Sequence, residues 1–339
     1  MSDKAAKIQD VAKAAGVSTA TVSRALSAPE KVSEPTRQAV LAAVEATGYR
    51  VNQAARSLRT RRAGSVLVLV PNLSNPFFSQ IIAGIESRLS AAGLKVVVTD
   101  TGPGAGAQAL TEPMRDGHAD GIICLDGNFD PAALDEVAQS RHAARIVFAC
   151  EWVDGSPFPS VRSDNAHGVR MAMDHLFALG HRDIGLVQGP RGNVLTAART
   201  EAFAAAMAAQ GLAVQDNWMF RGDFSLESGR DAALFFAQGA RLPTAVFCAS
   251  DLMAHAMIGQ WRAMNIRVPQ DVSVVGFDDI EVSEYLWPPL TTIRQARETL
   301  GSKAAELLLD RILGRAHGAP AIHVPVSLVV RATTAAPRS

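Results

Sequence analysis

The chain has 339 residues, 48% of them hydrophobic and 19% charged, with 33 basic side chains against 33 acidic ones. That length exceeds one ordinary core and predicts two or three domains, while no run reaches the roughly 18 apolar residues of a membrane span. The three cysteines, Cys124, Cys150 and Cys248, sit in separate apolar runs and predict buried, reduced thiols. The eight histidines form neither an HExxH pair nor a Cys/His cluster, so no metal site is expected.

The opening MSDKAAKIQD is polar and lacks an apolar h-region, so no export signal is expected and the chain is placed in the cytoplasm. The balanced total charge hides an asymmetry. Residues 1–62 hold eleven Lys and Arg against five Asp and Glu, a net +6, and the remainder carries −6. A small basic unit joined to an acidic body predicts a polyanion partner for the small end, with a solvated basic face as the plain alternative.

In KIQDVAKAAG, Ile8, Val11, Ala12 and Ala15 recur at helical spacing and stop at Gly16. Ser18 is a natural N-cap for a second helix over 19–26, which buries Val22, Ala25 and Leu26. Thr19, Ala20, Ser23 and Arg24 then face outward. A third helix follows VSEPTR, capped by Ser33 with Pro35 in its first turn, and ends at Gly48. Three short helices around a tight glycine turn describe a helix-turn-helix, whose second helix enters the DNA major groove. Small side chains there let the backbone approach closely, and Ala or Thr methyls can meet a thymine methyl. A small helical cap on an enzyme is the competing reading.

The stretch IQDVAKAAGVSTATVSRALS…KVSEPTRQAVLAAVEATGYRVNQAARSLR resembles the DNA-binding headpiece of the LacI/GalR family of transcriptional regulators. The resemblance places Thr19 and Ala20 at the variable recognition positions, with Arg24 a further base or phosphate contact. It assigns Thr21 and Ser23 mainly to holding the DNA backbone, and counts Ser18 among the DNA-binding residues. Residues 49–62 match the hinge helix, which on its own is too short to be stable in water. Leu58 matches the leucine that wedges into the minor groove, with Asn52, Ala55 and Arg56 as its neighbours. Val51 stands where many relatives have Pro. A plain basic linker is the alternative for this segment.

From SVLVLVP onward, β-branched runs alternate with Ala-rich amphipathic stretches. The runs are SVLVLV, LKVVVTD, DGIICLD, RIVFAC, DIGLVQG, TAVFCAS and VSVVGFD, and the stretches include 79–92, 166–180, 199–210 and 252–264. Such alternation predicts parallel sheets covered on both faces. The expected fold is an N-terminal all-α helix-turn-helix headpiece plus an α/β core of two doubly wound parallel-sheet lobes. The resemblance adds that this core is periplasmic-binding-protein-like. It implies a headpiece over 1–48, an N-lobe of 63–162 with 293–324, and a C-lobe of 163–292 with 325–339. Ligands of such folds bind at the strand C-terminal ends between lobes.

TDTGPGAGAQAL invites a dinucleotide reading, but Gly102, Gly104 and Gly106 do not follow GxGxxG, and Pro103 removes an amide that a phosphate would need. No GxxxxGK[ST] occurs, so no nucleotide cofactor is expected, and the chain is read as a non-enzyme.

The resemblance locates the effector site residue by residue. Asn75, Phe77 and Phe78 fall at the cleft mouth, where either ring stacks on a ligand or packs in the core. Glu151 and Trp152 end a strand at which relatives often carry Asp. Asp164 contacts ligand or caps the following helix. Arg199 matches the family's ligand-clamping Arg, and Leu195 stands where many relatives have Ser or Thr. Phe224 matches a stacking aromatic, Ser250 a polar contact, and Asp278 the hydroxyl-binding carboxylate, with a surface salt bridge as its alternative. NPFFSQIIAGIE, GDFSLESG, PTAVFCASD and PPLTTIRQ lie nearer the cytidine-responsive members of the family than the sugar-responsive ones, which points to a nucleoside. The family's logic implies a homodimer on a near-palindromic double-stranded operator. The C-terminal LVVRATTAAPRS lacks the heptad helix that some relatives use to tetramerise.

Overall fold

A computed structural model describes residues 6–49, 62–102, 106–316, 318 and 320–338. Two compact units separate at Arg62 and Ala63.

The first unit is three helices, α1 (Ile8–Ala14), α2 (Thr19–Ser27) and α3 (Glu34–Thr47). Val11, Ala12, Val22, Ala25, Val40 and Ala43 form its buried centre. α3 stops at Gly48, whose φ of 64° is the left-handed conformation that glycine adopts without a Cβ penalty. One expectation changes in detail. Ser33 holds the N-cap position of α3, but its hydroxyl bonds the Thr36 hydroxyl at 2.9 Å instead of a backbone amide.

The second unit is two six-stranded sheets wrapped by helices. The first sheet runs β11-β5-β4-β3-β1-β2, built from β1 (Ser65–Val70), β2 (Lys95–Asp100), β3 (Gly121–Cys124), β4 (Ile146–Ala149), β5 (Ser160–Ser163) and β11 (Ala321–Val324). The second runs β12-β10-β9-β8-β6-β7, built from β6 (Ile184–Gln188), β7 (Met219–Arg221), β8 (Ala245–Cys248), β9 (Ser273–Asp278), β10 (Thr291–Gln295) and β12 (Val326–Val329). Every pairing is parallel except β10 with β12 at one edge. Parallel strands are buried on both faces, which is why β3, β4 and β8 read as unbroken apolar runs.

The first lobe carries α4 (Phe77–Ser90), α5 (Pro131–Ala138) and α10 (Arg297–Ile312). The second carries α6 (Asn165–Ala178), α7 (Val194–Ala209), α8 (Leu226–Gln238) and α9 (Asp251–Ala263). α4 and α10 touch backbone to backbone. A Cβ on Gly301 would collide with the Ile81 carbonyl oxygen, and one on Gly84 with the Glu298 carbonyl oxygen. The chain passes between lobes after β5, after β10 and after β11. Because β10 belongs to the second sheet through Gln295, its crossing falls later than the expected residue 293. Both inner sheet ends, with the helix N-termini that follow them, therefore face one cleft.

Candidate functional site

The N-terminus of α2 is built for outward contact. Ser18 Oγ accepts from the Thr21 amide at 3.1 Å and shares a 2.9 Å bond with the Thr21 hydroxyl, which fixes the first turn. With Val22 and Ala25 facing inward, Thr19, Ala20 and Arg24 are exposed, and Thr21 and Ser23 are half-buried. Small side chains over a helix N-terminus, whose dipole favours anions, leave room for a phosphate backbone. The proposed hinge residues Asn52, Ala55, Arg56 and Leu58 lie outside the described residues.

In the cleft the structure brings Arg199 and Asp278 together. Arg199, one turn into α7, stacks its guanidinium 3.8 Å from the Phe277 ring centroid. It donates from Nε to Asn165 Oδ1 at 2.9 Å and from a terminal nitrogen to the Ala249 carbonyl at 2.5 Å, and it stands 3.8 Å from Asp278. Asp278 ends β9 and accepts from Gln295 Nε2 at 2.8 Å. Burial pushes the Asp278 carboxyl up to about 7, against the pull of Arg199, and draws the Arg199 guanidinium down from its usual range. Glu151 is likewise pushed up to about 7 by burial, although it accepts from the Gly127 amide and from Asn193 Nδ2, each at 2.9 Å. Asn193 belongs to the second lobe, so this bond spans the cleft.

Backbone strain gathers here. Of the five described non-glycine residues at positive φ, four are in this region: Cys150 (68°), Phe224 (69°), Asp278 (127°) and Asp279 (54°). Such conformations persist only where surrounding structure imposes them, and they cluster at ligand sites. Gly189 makes the Phe224 position possible, since a Cβ there would meet the Phe224 ring and the Thr196 hydroxyl.

The other expected residues divide. Phe77 and Phe78 meet edge to face at 5.2 Å and are buried in an apolar cluster with Cys150, Leu195, Ile280 and half-buried Trp152 and Phe224, so both lobes share it. Trp152 donates to Asp154 at 2.7 Å and lies under the Arg162 guanidinium at 4.2 Å. Asn75, Asp164 and Ser250 accept from backbone amides of Phe77, His167 and Met253, which are turn and capping roles. A cavity of about 510 Å³ opens at the cleft edge between Asn128 and Trp152 on one side and Gln188, Thr196 and Arg221 on the other. Of the expected effector residues only Trp152 lines it; Arg199 and Asp278 are buried outside its lining. Sequence reasoning missed Asn165, Asn193, Gln295 and Arg297. Arg297 is buried, donates to the Asp279 carbonyl at 3.0 Å and the Phe77 carbonyl at 3.4 Å, and so ties the lobes together. Among the described residues no His, Cys, Asp and Glu group is arranged to hold a metal, and no helix is long and apolar enough to cross a membrane.

A helix-turn-helix unit followed by a two-lobed α/β core with a polar, strained interlobe cleft defines a DNA-binding regulator with a ligand-binding core. The comparisons agree with that class. Residues 7–52 match the family described as bacterial regulatory proteins, lacI family, and residues 173–334 match the periplasmic binding protein-like domain. The transcriptional repressor CytR of Escherichia coli is 35% identical over 98% of each chain. The repressor PurR of Photobacterium profundum is 34% identical over 96% of this chain and 98% of its own. A lac repressor dimer bound to operator and the anti-inducer ONPF superposes with a TM-score of 0.87 at 30% identity, covering 98% of this chain and all of that one. The chain belongs to the LacI family of bacterial transcriptional regulators.

Proposed function

We propose that the chain is a sequence-specific repressor whose operator affinity is set by a small molecule held between the lobes. The observation that carries this reading is the Arg199–Asp278 pair, buried where strand ends of one lobe meet the other, with Asp278 held at a φ of 127°. A charged donor and a charged acceptor so placed can grip ligand hydroxyl or amide groups with charge-assisted bonds. Phe77, Phe78, Trp152 and Phe224 supply ring faces around it, Glu151 a second carboxylate, and Asn75, Asp164 and Ser250 the loop ends that frame it. A nucleoside fits this mixture of ring faces and hydroxyl-binding groups. The ligand acts by binding one lobe arrangement better than another. We read the chain as a cytoplasmic non-enzyme without a cofactor; that its relatives are named transcriptional repressors supports the non-enzyme reading.

On DNA, Ser18, Thr19, Ala20, Thr21, Ser23 and Arg24 would read one half-site, with Asn52, Ala55, Arg56 and Leu58 at its centre. A homodimer on a near-palindrome follows from two-fold symmetry. An exposed apolar patch on the second lobe supports self-association: Tyr285 is 80% and Trp287 78% exposed, beside Val282 and Leu286.

Thermal melts against cytidine, adenosine, purine bases and common sugars test the reading. A ligand at a hundred times its dissociation constant adds about 2.7 kcal/mol. The expected result is a shift with a nucleoside that Asp278→Ala abolishes; an undiminished shift in Asp278→Ala would remove the proposed site. A sugar effector is the second reading, favoured by the similarity to a CelR–cellobiose complex at a TM-score of 0.72 and 32% identity. It predicts a shift with sugars alone.

A further inference from the structure

The chain crosses between the lobes three times, and two of these crossings carry a side-chain amide bonded to the Arg199–Asp278 pair. The first runs from Ser163, the last residue of β5, to Asn165, the first of α6. The second runs from Gln295, the last residue of β10, to Arg297, the first of α10. The third passes from Val324 through Pro325, which has no polar side chain. Asn165 Oδ1 accepts from Arg199 Nε at 2.9 Å, and Asn165 Nδ2 donates to the Ser163 carbonyl at 3.0 Å. Gln295 Nε2 donates to Asp278 Oδ1 at 2.8 Å. All four residues are buried.

The two ions stand 3.8 Å apart, beyond hydrogen-bond distance. Asp278 therefore has Gln295 as its close polar partner, and Arg199 Nε has Asn165, beside the Ala249 carbonyl on a terminal nitrogen; a buried charged group that loses such a partner is costly. Each of these crossings spans only one residue between sheet and helix, so it has few torsions. An amide that must follow its ion takes the crossing backbone with it. Arg297, which begins α10, reinforces the second crossing through the carbonyls of Asp279 and Phe77.

We infer that Asn165 and Gln295 are the residues that couple the charged pair to lobe orientation. With the pair unliganded, they hold two crossings in one setting; a ligand that engages Arg199 and Asp278 releases them. The inference rests on the reading that the effector engages this pair. Both are positioning residues, because they act through Arg199 and Asp278.

The test measures a lobe-to-lobe distance in the full, ligand-free chain. Spin labels are placed at Ser90→Cys in the first lobe and Gln210→Cys in the second, both exposed positions, while the three native cysteines are buried. The labelled chain is diluted into excess unlabelled chain, and the distance distribution is read by pulsed electron spin resonance. The parent should give one distribution. Asn165→Ala and Gln295→Ala should each add a population at a different distance. Asn165→Asp keeps an acceptor for Arg199 Nε while giving up the bond to Ser163, and it should restore the parent distribution. Melting curves confirm folding, and Gln295→Ala with Asn165→Asp carries the test if Asn165→Ala does not fold. Parent-like distributions in the alanine variants that fold would overturn the inference, as would an Asp variant that differs from the parent. No ligand enters this measurement, so it judges the coupling alone. The effector-site reading fails separately, through an undiminished melt shift in Asp278→Ala.

Discussion

Replacing Glu151 with Gln should change the pH dependence of stability in a direction fixed by burial. The side chain is buried between Gly127 of the first lobe and Asn193 of the second, and burial raises its pKa from 4.5 to about 7. The folded state thus binds this proton more tightly than the unfolded chain does. Its contribution to stability is fully present below about pH 4.5 and is lost as the pH rises through 7. That rise in pKa corresponds to about 3.4 kcal/mol, of which about 2.5 kcal/mol falls between about pH 5 and pH 8. The amide of the variant does not titrate. The stability difference, wild type minus Glu151→Gln, should therefore shrink by about 2.5 kcal/mol from about pH 5 to pH 8. Urea unfolding at unit pH steps, followed by tryptophan fluorescence, measures it. His175, His181 and His255 are kept neutral by burial and pull the absolute curve the other way below pH 6.5. They are common to both chains and cancel in the difference. A flat difference, or one that grows with pH, would refute the reasoning.

Gly301→Ala should lower the unfolding free energy of the core by about 2 kcal/mol, because its methyl group must displace the Ile81 carbonyl where α4 and α10 touch; an unchanged urea midpoint would contradict that packing. Arg24→Ala should weaken operator binding by about 1–3 kcal/mol with the melt of the core unchanged. Fluorescence anisotropy over a salt series then separates base from phosphate contact, since losing a phosphate contact reduces the salt slope by about one. Asp278→Ala should lose the effector response; a retained response would show that the effector binds elsewhere.

The headpiece was legible because its signals are local. Gly16, Ser18, Pro35 and Gly48 mark helix ends through their own backbone preferences, and Val11, Val22 and Val40 carry the buried face. The seven strands read from the sequence were likewise found, since each is a β-branched run between polar ends. β7, β11 and β12 are edge strands whose residues are partly exposed, so they lack the buried apolar run that marks β3, β4 and β8. The Ser33 hydroxyl shows the limit of cap signals: residue type fixed the cap position, but the partner was chosen by Thr36.

The cleft was legible by residue type and not by wiring. Arg199 and Asp278 are 79 positions apart in the chain, and nothing local shows that they meet. Asn165 looks like an ordinary first-turn residue, Gln295 a strand end and Arg297 a surface helix start. Their roles arise only once the crossings fold back against α7 and β9. The cavity beside Gln188, Thr196 and Arg221 was missed for the same reason, because its walls come from separate loops.

Selection of the full chain on random-sequence duplex DNA, followed by sequencing of the bound pool, tests the central claim most directly. The account predicts enrichment of one near-palindrome with two equivalent half-sites, weakened in Arg24→Ala. A pool that stays random, or one enriched for a single site without two-fold symmetry, would contradict it.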